Sequence, residues 1–304
     1  MQRRHRLEYG LFRAIVAGIA ALPFGVALRL GAWAGELAAV LDRRDRRIAL
    51  INLRIAFPDR SEQERRRILR ASCRNLGRLM VEFCHLPRTD AATIERRIRF
   101  EDRARWEREV GRAAERGAII LTAHFGNWEL LAHAHGLWGH PITLVHRPMR
   151  NQAVDRAIAA IRGIAGTRSI AKKAAAREAI RTLRRKEILV IPSDQNQPAR
   201  DGVFIEVFGR PACTNAGAAR LGLLTGAPVL PVFLVREGES PNHRLVLLPE
   251  VELVDTGDRE ADAIANTQRC SRVIEEMLRR YPEQWIWFHK RWKTRPPGEK
   301  SVYD

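Results

Sequence analysis

The sequence predicts an α/β fold: a mixed, mostly parallel sheet flanked by helices, with an N-terminal helical, membrane-associated segment. Three observations carry this expectation. Short continuous apolar runs such as Ala118-Ile119-Ile120-Leu121-Thr122-Ala123 suit strands buried on both faces. These runs alternate with longer segments of helical period, the pattern of parallel βαβ units. Ahead of them lies an uncharged run, Ala14 to Leu28, between two basic stretches.

The elements follow in order. Ser61-Glu62-Gln63-Glu64 fits a capping box, and Ile68, Leu69, Leu76, Leu79 and Met80 then share one helical face. Asp102 to Arg116 reads as a helix stopped by Gly117. The strand 118–123 comes next, then a helix over Asn127–Trp138 and a strand over Pro141–His146. Asn151–Arg162 and Lys172–Arg185 read as helices, and Glu187–Pro192 as a strand. Val203 to Phe208 alternates and ends at Gly209. A helix over Asn215–Leu224, a strand over Val229–Val235, and a strand region over Leu245–Leu248 and Val251–Val254 follow. Ala261–Arg280 is a long helix. No internal repeat or low-complexity linker interrupts the chain. The expected division is a membrane-associated segment, 1–42, and a second domain, 43–304.

Composition narrows the function. In 304 residues there are 53 Lys and Arg, 47 of them Arg, against 35 Asp and Glu, a net charge of +18. Hydrophobic residues make up 45% of the chain, enough for a large core and too many for disorder. Four Cys do not make a disulfide scaffold. A charge of +18 asks for an acidic partner: nucleic acid, an anionic membrane, or an acidic protein or substrate. Residues 1–78 hold 17 basic and 7 acidic residues, more than half of the net excess.

Several readings compete for the apolar N-terminus. Extended past Arg29 to Gly35, the run is long enough for one bilayer span, but Arg29 at the centre costs about 3 kcal/mol. A cleaved signal peptide would end near Ala32-Trp33-Ala34, where Arg29 is out of place. A membrane-embedded or interfacial segment broken at Pro23-Phe24-Gly25 leaves both basic flanks on the cytoplasmic side. A buried soluble helix is the plain alternative.

Five of the nine His lie between 124 and 146. The informative stretch is His124-Phe125-Gly126-Asn127-Trp128-Glu129, where the strand 118–123 gives way to a helix. Ligands collect at the carboxyl ends of strands in open α/β sheets. With His124 in the loop, Gly126 at the bend and Glu129 in the first helical turns, Glu129 can accept a bond from one imidazole nitrogen. The other nitrogen then becomes a general base for an attacking hydroxyl. The plain alternative is a strand-end histidine satisfied by backbone. Metal binding by His124, Glu129, His133 and His135 lacks the spacing of the zinc helix motif. His133 and His135 read as surface or packing residues. No Gly-x-Ser-x-Gly or phosphate loop is present. Neither a metal nor a cofactor is expected.

His124 to Glu129 matches the His-x4-Asp/Glu motif of glycerolipid-type acyltransferases. The form His-Phe-Gly-Asn-Trp-Glu resembles the late acyltransferases of lipid A biosynthesis, bacterial inner-membrane enzymes. Further blocks resemble the family in the same order: Asn52 to Pro58, His146 to Asn151, Asp194-Gln195 with Gly202 to Ala212, Thr214 to Pro231, and Pro282 to Lys293. The resemblance covers about residues 20–296. It implies a glycerolipid acyltransferase-like fold and acyl transfer from acyl carrier protein to a hydroxyl of an acylated glucosamine lipid. It implies His124 as general base with Glu129 as partner, and it places Asn127, Arg147 and Asp194 at the substrate. Arg147 would offer two donors to a phosphate or oxyanion, and Asp194 would orient it or bond a sugar hydroxyl. Either charge also has a purely structural reading. The aromatic and basic run Trp285 to Lys293 reads as an interfacial belt or as core with a solvated face. One departure is Gln195-Asn196-Gln197-Pro198, where family members often carry His or Tyr with Gly; it bears on the acceptor. A related branch acylates phosphatidylinositol mannosides from acyl-CoA. The expected partners are therefore acyl carrier protein or acyl-CoA, a glycolipid acceptor and an anionic membrane surface, at the cytoplasmic face of the inner membrane. Nucleic acid is not expected: no recognised binding fold accompanies the basic charge.

Overall fold

Seven strands form one sheet in the computed structural model, which describes residues 3–146, 148–171 and 175–304. Across the sheet they run β1 (Ile98–Phe100), β9 (His243–Leu247), β8 (Val229–Arg236), β2 (Ala118–Thr122), β5 (Ile188–Pro192), β3 (Ile142–His146) and β4 (Arg168–Ala171). Every neighbouring pair is parallel except β8 with β9. The uninterrupted apolar strands sit at the centre, and all five residues of β2 are buried. Alternate residues serve opposite faces. Ile119, Leu121, Leu189 and Ile191 join one core, while Ala118, Ile120, Ile188 and Val190 join the other. A two-sided core explains why these strands show no polar alternation.

Helices cover both faces. They are α1 (Arg3–Ala21), α2 (Phe24–Leu41), α3 (Arg43–Ala56), α4 (Glu62–His85), α5 (Ala91–Arg97), α6 (Arg103–Arg116), α7 (Trp128–Leu137), α8 (Gln152–Gly163), α9 (Ala175–Arg184), α10 (Gly217–Thr225) and α11 (Arg259–Arg280). The capping box forms: the Glu64 N–H donates to Ser61 Oγ at 3.3 Å, and the Ser61 N–H donates to Glu64 Oε2 at 2.8 Å. Pro23 separates α1 from α2, where the sequence placed the break.

Some elements differ from expectation. The strand β4 and the hairpin of β6 (Val203–Val207) with β7 (Arg210–Thr214) are wider than the apolar pattern. Arg168-Ser169 and Arg210-Pro211 carry no strand-like apolar signal, and pairing with a neighbour decides them. Val251–Val254 makes no strand, because Asn266 on α11 takes both the N–H and the carbonyl of Val254, at 2.8 and 2.7 Å. The helix expected over 172–185 starts in part outside the described residues; α9 begins at Ala175. The aromatic run is core and not belt: Trp285, Trp287 and Trp292 are fully buried. Asn52 of α3 fixes that run, donating to the carbonyls of Trp287 at 2.6 Å and His289 at 2.8 Å.

Candidate active site

The parallel register of β2 and β5 builds the centre of the site. Thr122 stands beside Pro192 at the carboxyl ends of the two strands. Two residues further on each chain come His124 and Asp194, brought level by the same register. The Ser193 N–H donates to the Thr122 carbonyl at 3.1 Å and extends the pairing past the strands. His124 Nδ1 lies 3.0 Å from Asp194 Oδ1, and the His124 backbone N–H donates to Asp194 Oδ2 at 3.1 Å. Trp285 Nε1 donates to the same Oδ2 at 2.8 Å.

This arrangement sets the proton chemistry of the pair. Burial alone would push the Asp194 carboxyl up. The His124 ring and the His124 and Trp285 donors outweigh it, so Asp194 is held well below the usual carboxylate range. Burial likewise works to lower His124, and the neighbouring Asp194 charge and bond overcome it, leaving His124 more basic than usual. A carboxylate accepting from Nδ1–H fixes the tautomer with Nε2 unprotonated. Among the described residues no hydrogen bond is made to Nε2, and the ring keeps 27% of its side-chain surface exposed.

The loop after β2 is held from beneath. Gly126 has φ +58°, and a Cβ there would fall on the Leu234 carbonyl oxygen, so only glycine fits. Its N–H donates to the Gln284 carbonyl at 2.8 Å, and the Asn127 N–H to that of Leu234 at 3.1 Å. Asn127, expected at the substrate, is instead fully buried. Its Oδ1 caps α7 by accepting from the Leu130 N–H at 2.9 Å, and its Nδ2 donates to Glu82 Oε2 at 2.7 Å. Glu82 of α4 is paired in turn with Arg236 of β8, whose Nη1 donates at 2.9 Å, and Arg236 Nε reaches Asn75 at 2.7 Å. Asn127 therefore positions the loop from inside the fold.

Glu129 also differs from expectation. It does not bond His124. Arg162 at the end of α8 grips it with two donors, Nε to Oε2 at 2.8 Å and Nη2 to Oε1 at 2.5 Å. Trp128 Nε1 donates to Oε1 at 3.2 Å, and the Trp128 ring meets the His124 ring edge-on, 5.4 Å between centroids. A helical side chain points back toward the helix start, but the bend at Gly126 turns His124 toward β5. Glu129 stands beside the pair as a second, separately held charge. Arg147 lies outside the described residues. Arg162 is the functional candidate that sequence reasoning missed, because nothing local distinguishes it from the other Arg residues of the chain. His133 and His135 are packing residues: His133 Nε2 lies 3.0 Å from the Thr89 carbonyl, and His135 packs edge-on against Trp106. Behind Asp194, His289 packs against Trp285, and burial lowers its pKa to about 4.

A basic imidazole oriented by a buried carboxylate, at the strand ends of an α/β sheet and with no serine or cysteine bonded to it among the described residues, suits an acyltransferase in which the acceptor hydroxyl attacks directly. The chain belongs to the bacterial lipid A biosynthesis acyltransferase family, whose model matches residues 2–294. It is an acyltransferase. Among its relatives, the lipid A biosynthesis palmitoleoyltransferase of Escherichia coli (strain K12) is 29% identical over 287 residues, covering 93% of this chain and 90% of that one. The lauroyltransferase of the same organism is 29% identical over 292 residues, with the same coverage. Its myristoyltransferase is 27% identical over 306 residues, covering 99% and 92%.

Proposed function

We propose that this enzyme moves a fatty acyl chain from the thioester of acyl carrier protein to a hydroxyl of a lipid A precursor, at the cytoplasmic face of the inner membrane. The observation that carries the mechanism is His124 held through Nδ1 by buried Asp194, with no hydrogen bond to Nε2 among the described residues. The relatives' names, which differ in acyl chain but share lipid A, support the acceptor class. His124 Nε2 takes the proton of the acceptor hydroxyl as its oxygen attacks the thioester carbonyl. The tetrahedral intermediate then expels the thiolate, which takes up the acceptor's proton from His124 and leaves as the free thiol. Asp194 stabilises the imidazolium formed between these steps. Glu129, fixed by Arg162, is positioned to orient the acceptor beside His124.

The test is transfer by the purified full chain, with labelled acyl groups offered on acyl carrier protein or on coenzyme A and an acylated glucosamine lipid as acceptor. The reading expects acylated product from the carrier-protein donor and none from His124→Ala. Product from acyl-CoA alone would replace the donor, and equal product from His124→Ala would remove the base.

A further inference from the structure

The N-terminal helices settle their own relation to a membrane through the way α2 meets α4. Gly31 and Gly35 of α2 face Gly77 of α4, and the two backbones touch. A Cβ on Gly31 would come within 2.7 Å of the Gly77 carbonyl oxygen, and one on Gly35 would meet that of Cys73. Small residues four apart allow this approach. The contact runs antiparallel along most of α2. Phe24 packs edge-on against His85 at 5.1 Å at one end, and Glu36 pairs with Arg70 and Arg74 at 3.0 Å toward the other. The opposite side of α4 is anchored in the catalytic domain by the Glu82–Arg236 pair and by Ser72 on the Trp285 carbonyl.

By composition, α2 is apolar and long enough to cross a bilayer. Its 18 residues span about 27 Å, close to the hydrocarbon thickness of about 30 Å. A crossing α2 would carry α4 along it, with Glu36, Arg70, Arg74 and Glu239, which pairs with Arg74 at 3.1 Å, into hydrocarbon. Charges at that depth are costly. The face of α2 turned away from α4 has the opposite character. Val26, Leu30, Trp33, Leu37, Val40 and Leu41 are all exposed, and Trp33 keeps 62% of its surface. Arg29 on that face is long enough to reach headgroups. Exposed Arg3, Arg4 and Arg6 stand in the first turns of α1, and exposed Arg43, Arg44 and Arg47 follow α2 in the first turns of α3. Such a face, apolar with basic edges, fits one anionic leaflet.

We propose that α1 and α2 lie within a single anionic leaflet and that neither crosses the bilayer, with α4 as the strut that fixes the catalytic centre at the lipid surface. This rests on the membrane attachment proposed above and specifies its geometry. The helix α1 runs beside α8, the helix of Arg162: Asn151, which caps α8, donates to the His5 carbonyl at 2.9 Å. The inserted helices therefore border the site where a lipid acceptor must arrive.

Labelling with a membrane-impermeant maleimide tests the proposal on the full chain in its bacterial host, in spheroplasts and in inside-out membrane vesicles. Cys73, Cys84, Cys213 and Cys270 are all buried, so the unaltered chain gives the background. Single cysteines are placed in the first turns of α1 (Arg6→Cys), at the α1–α2 joint (Leu22→Cys) and on the catalytic side (Asp59→Cys). The expected result is that no position reacts from the face opposite Asp59→Cys, and that Arg6→Cys reacts from the same face. Reaction of Arg6→Cys or Leu22→Cys from the opposite face would overturn it, revealing one span or a hairpin of two. The face at which Asp59→Cys reacts tests the cytoplasmic assignment separately. Recovery of the full chain in the soluble fraction would overturn attachment itself. Replacing Leu30 and Leu37 together by Lys should lower vesicle partitioning by about tenfold or more, the loss expected when inserted leucines are removed. Unchanged partitioning would show that this face is not inserted.

Discussion

Asp194→Asn keeps the size and shape of the side chain and removes its charge. Asp194 accepts three N–H groups: His124 Nδ1 at 3.0 Å, the His124 backbone at 3.1 Å and Trp285 Nε1 at 2.8 Å. Asparagine has one oxygen, so its NH2 must face at least one of these donors. Each lost charge-assisted bond costs about 1.5–3 kcal/mol. The transition state suffers more, because the imidazolium formed on proton uptake no longer has a carboxylate beside it. A carboxylate-to-amide change in such a pair lowers turnover by about 10⁴, equivalent to about 5 kcal/mol. The pH profile adds a second signature. Burial works to lower His124, but Asp194 raises it above its ordinary value, and the neutral ring is the active form. Activity of the native enzyme therefore rises with pH through that raised value, and the acidic limb of the Asn variant moves to lower pH. The assay is steady-state transfer from acyl carrier protein across the pH range, with circular dichroism to verify folding. A folded variant keeping more than about a tenth of native kcat, with an unmoved acidic limb, would refute the dyad.

Three further outcomes follow from the same geometry. Glu82→Gln leaves Arg236 buried without its counter-charge and should cost about 3–5 kcal/mol in urea unfolding; a loss under about 1 kcal/mol would remove this pair from the frame of the site. Arg162→Lys keeps a positive charge but loses the two-donor grip on Glu129, so kcat should fall about tenfold or more while unfolding midpoints move little. Burial lowers His135 to about 3 and His243 and His289 to about 4. In the unfolded chain each binds a proton near pH ~6.5, so the unfolded state holds more protons and stability falls as pH drops from ~6.5 toward ~4. His124, with its raised value, works in the opposite sense and is outnumbered. Urea midpoints that rise between neutral and mildly acid pH would contradict this.

Much of the fold was legible because burial on two faces leaves a plain mark. The strands β2, β5 and β8 announce themselves as unbroken apolar runs, and Gly117 and Gly126 mark the turns around them. The hairpin partner β7 and the edge strand β4 were not legible: Arg210-Pro211 and Arg168-Ser169 carry no apolar signal, and β4 also pairs with a strand about 25 residues away. The site was legible in part. His124 stood out by its place at a strand end, and Asp194 by a similar place after β5. That they face each other follows from the strand register, which the residue spacing of a local motif does not contain. Local spacing suggested instead that His124 meets Glu129, five residues on. The bend at Gly126 turns the two side chains apart, and Arg162, 33 residues beyond Glu129, takes up the carboxylate. Asn127 shows the same limit. A polar residue inside a motif reads as substrate-binding, yet helix capping and the buried Glu82 consume both its ends.

The central claim is that His124 drives acylation of a lipid A precursor, and mass spectrometry of lipid A from the host tests it most directly. Deleting the gene should lower the lipid A mass by one acyl group. Restoring the native chain should return that mass, and restoring His124→Ala at equal protein level should not. An unchanged lipid A in the deletion, or full recovery with His124→Ala, would contradict the account.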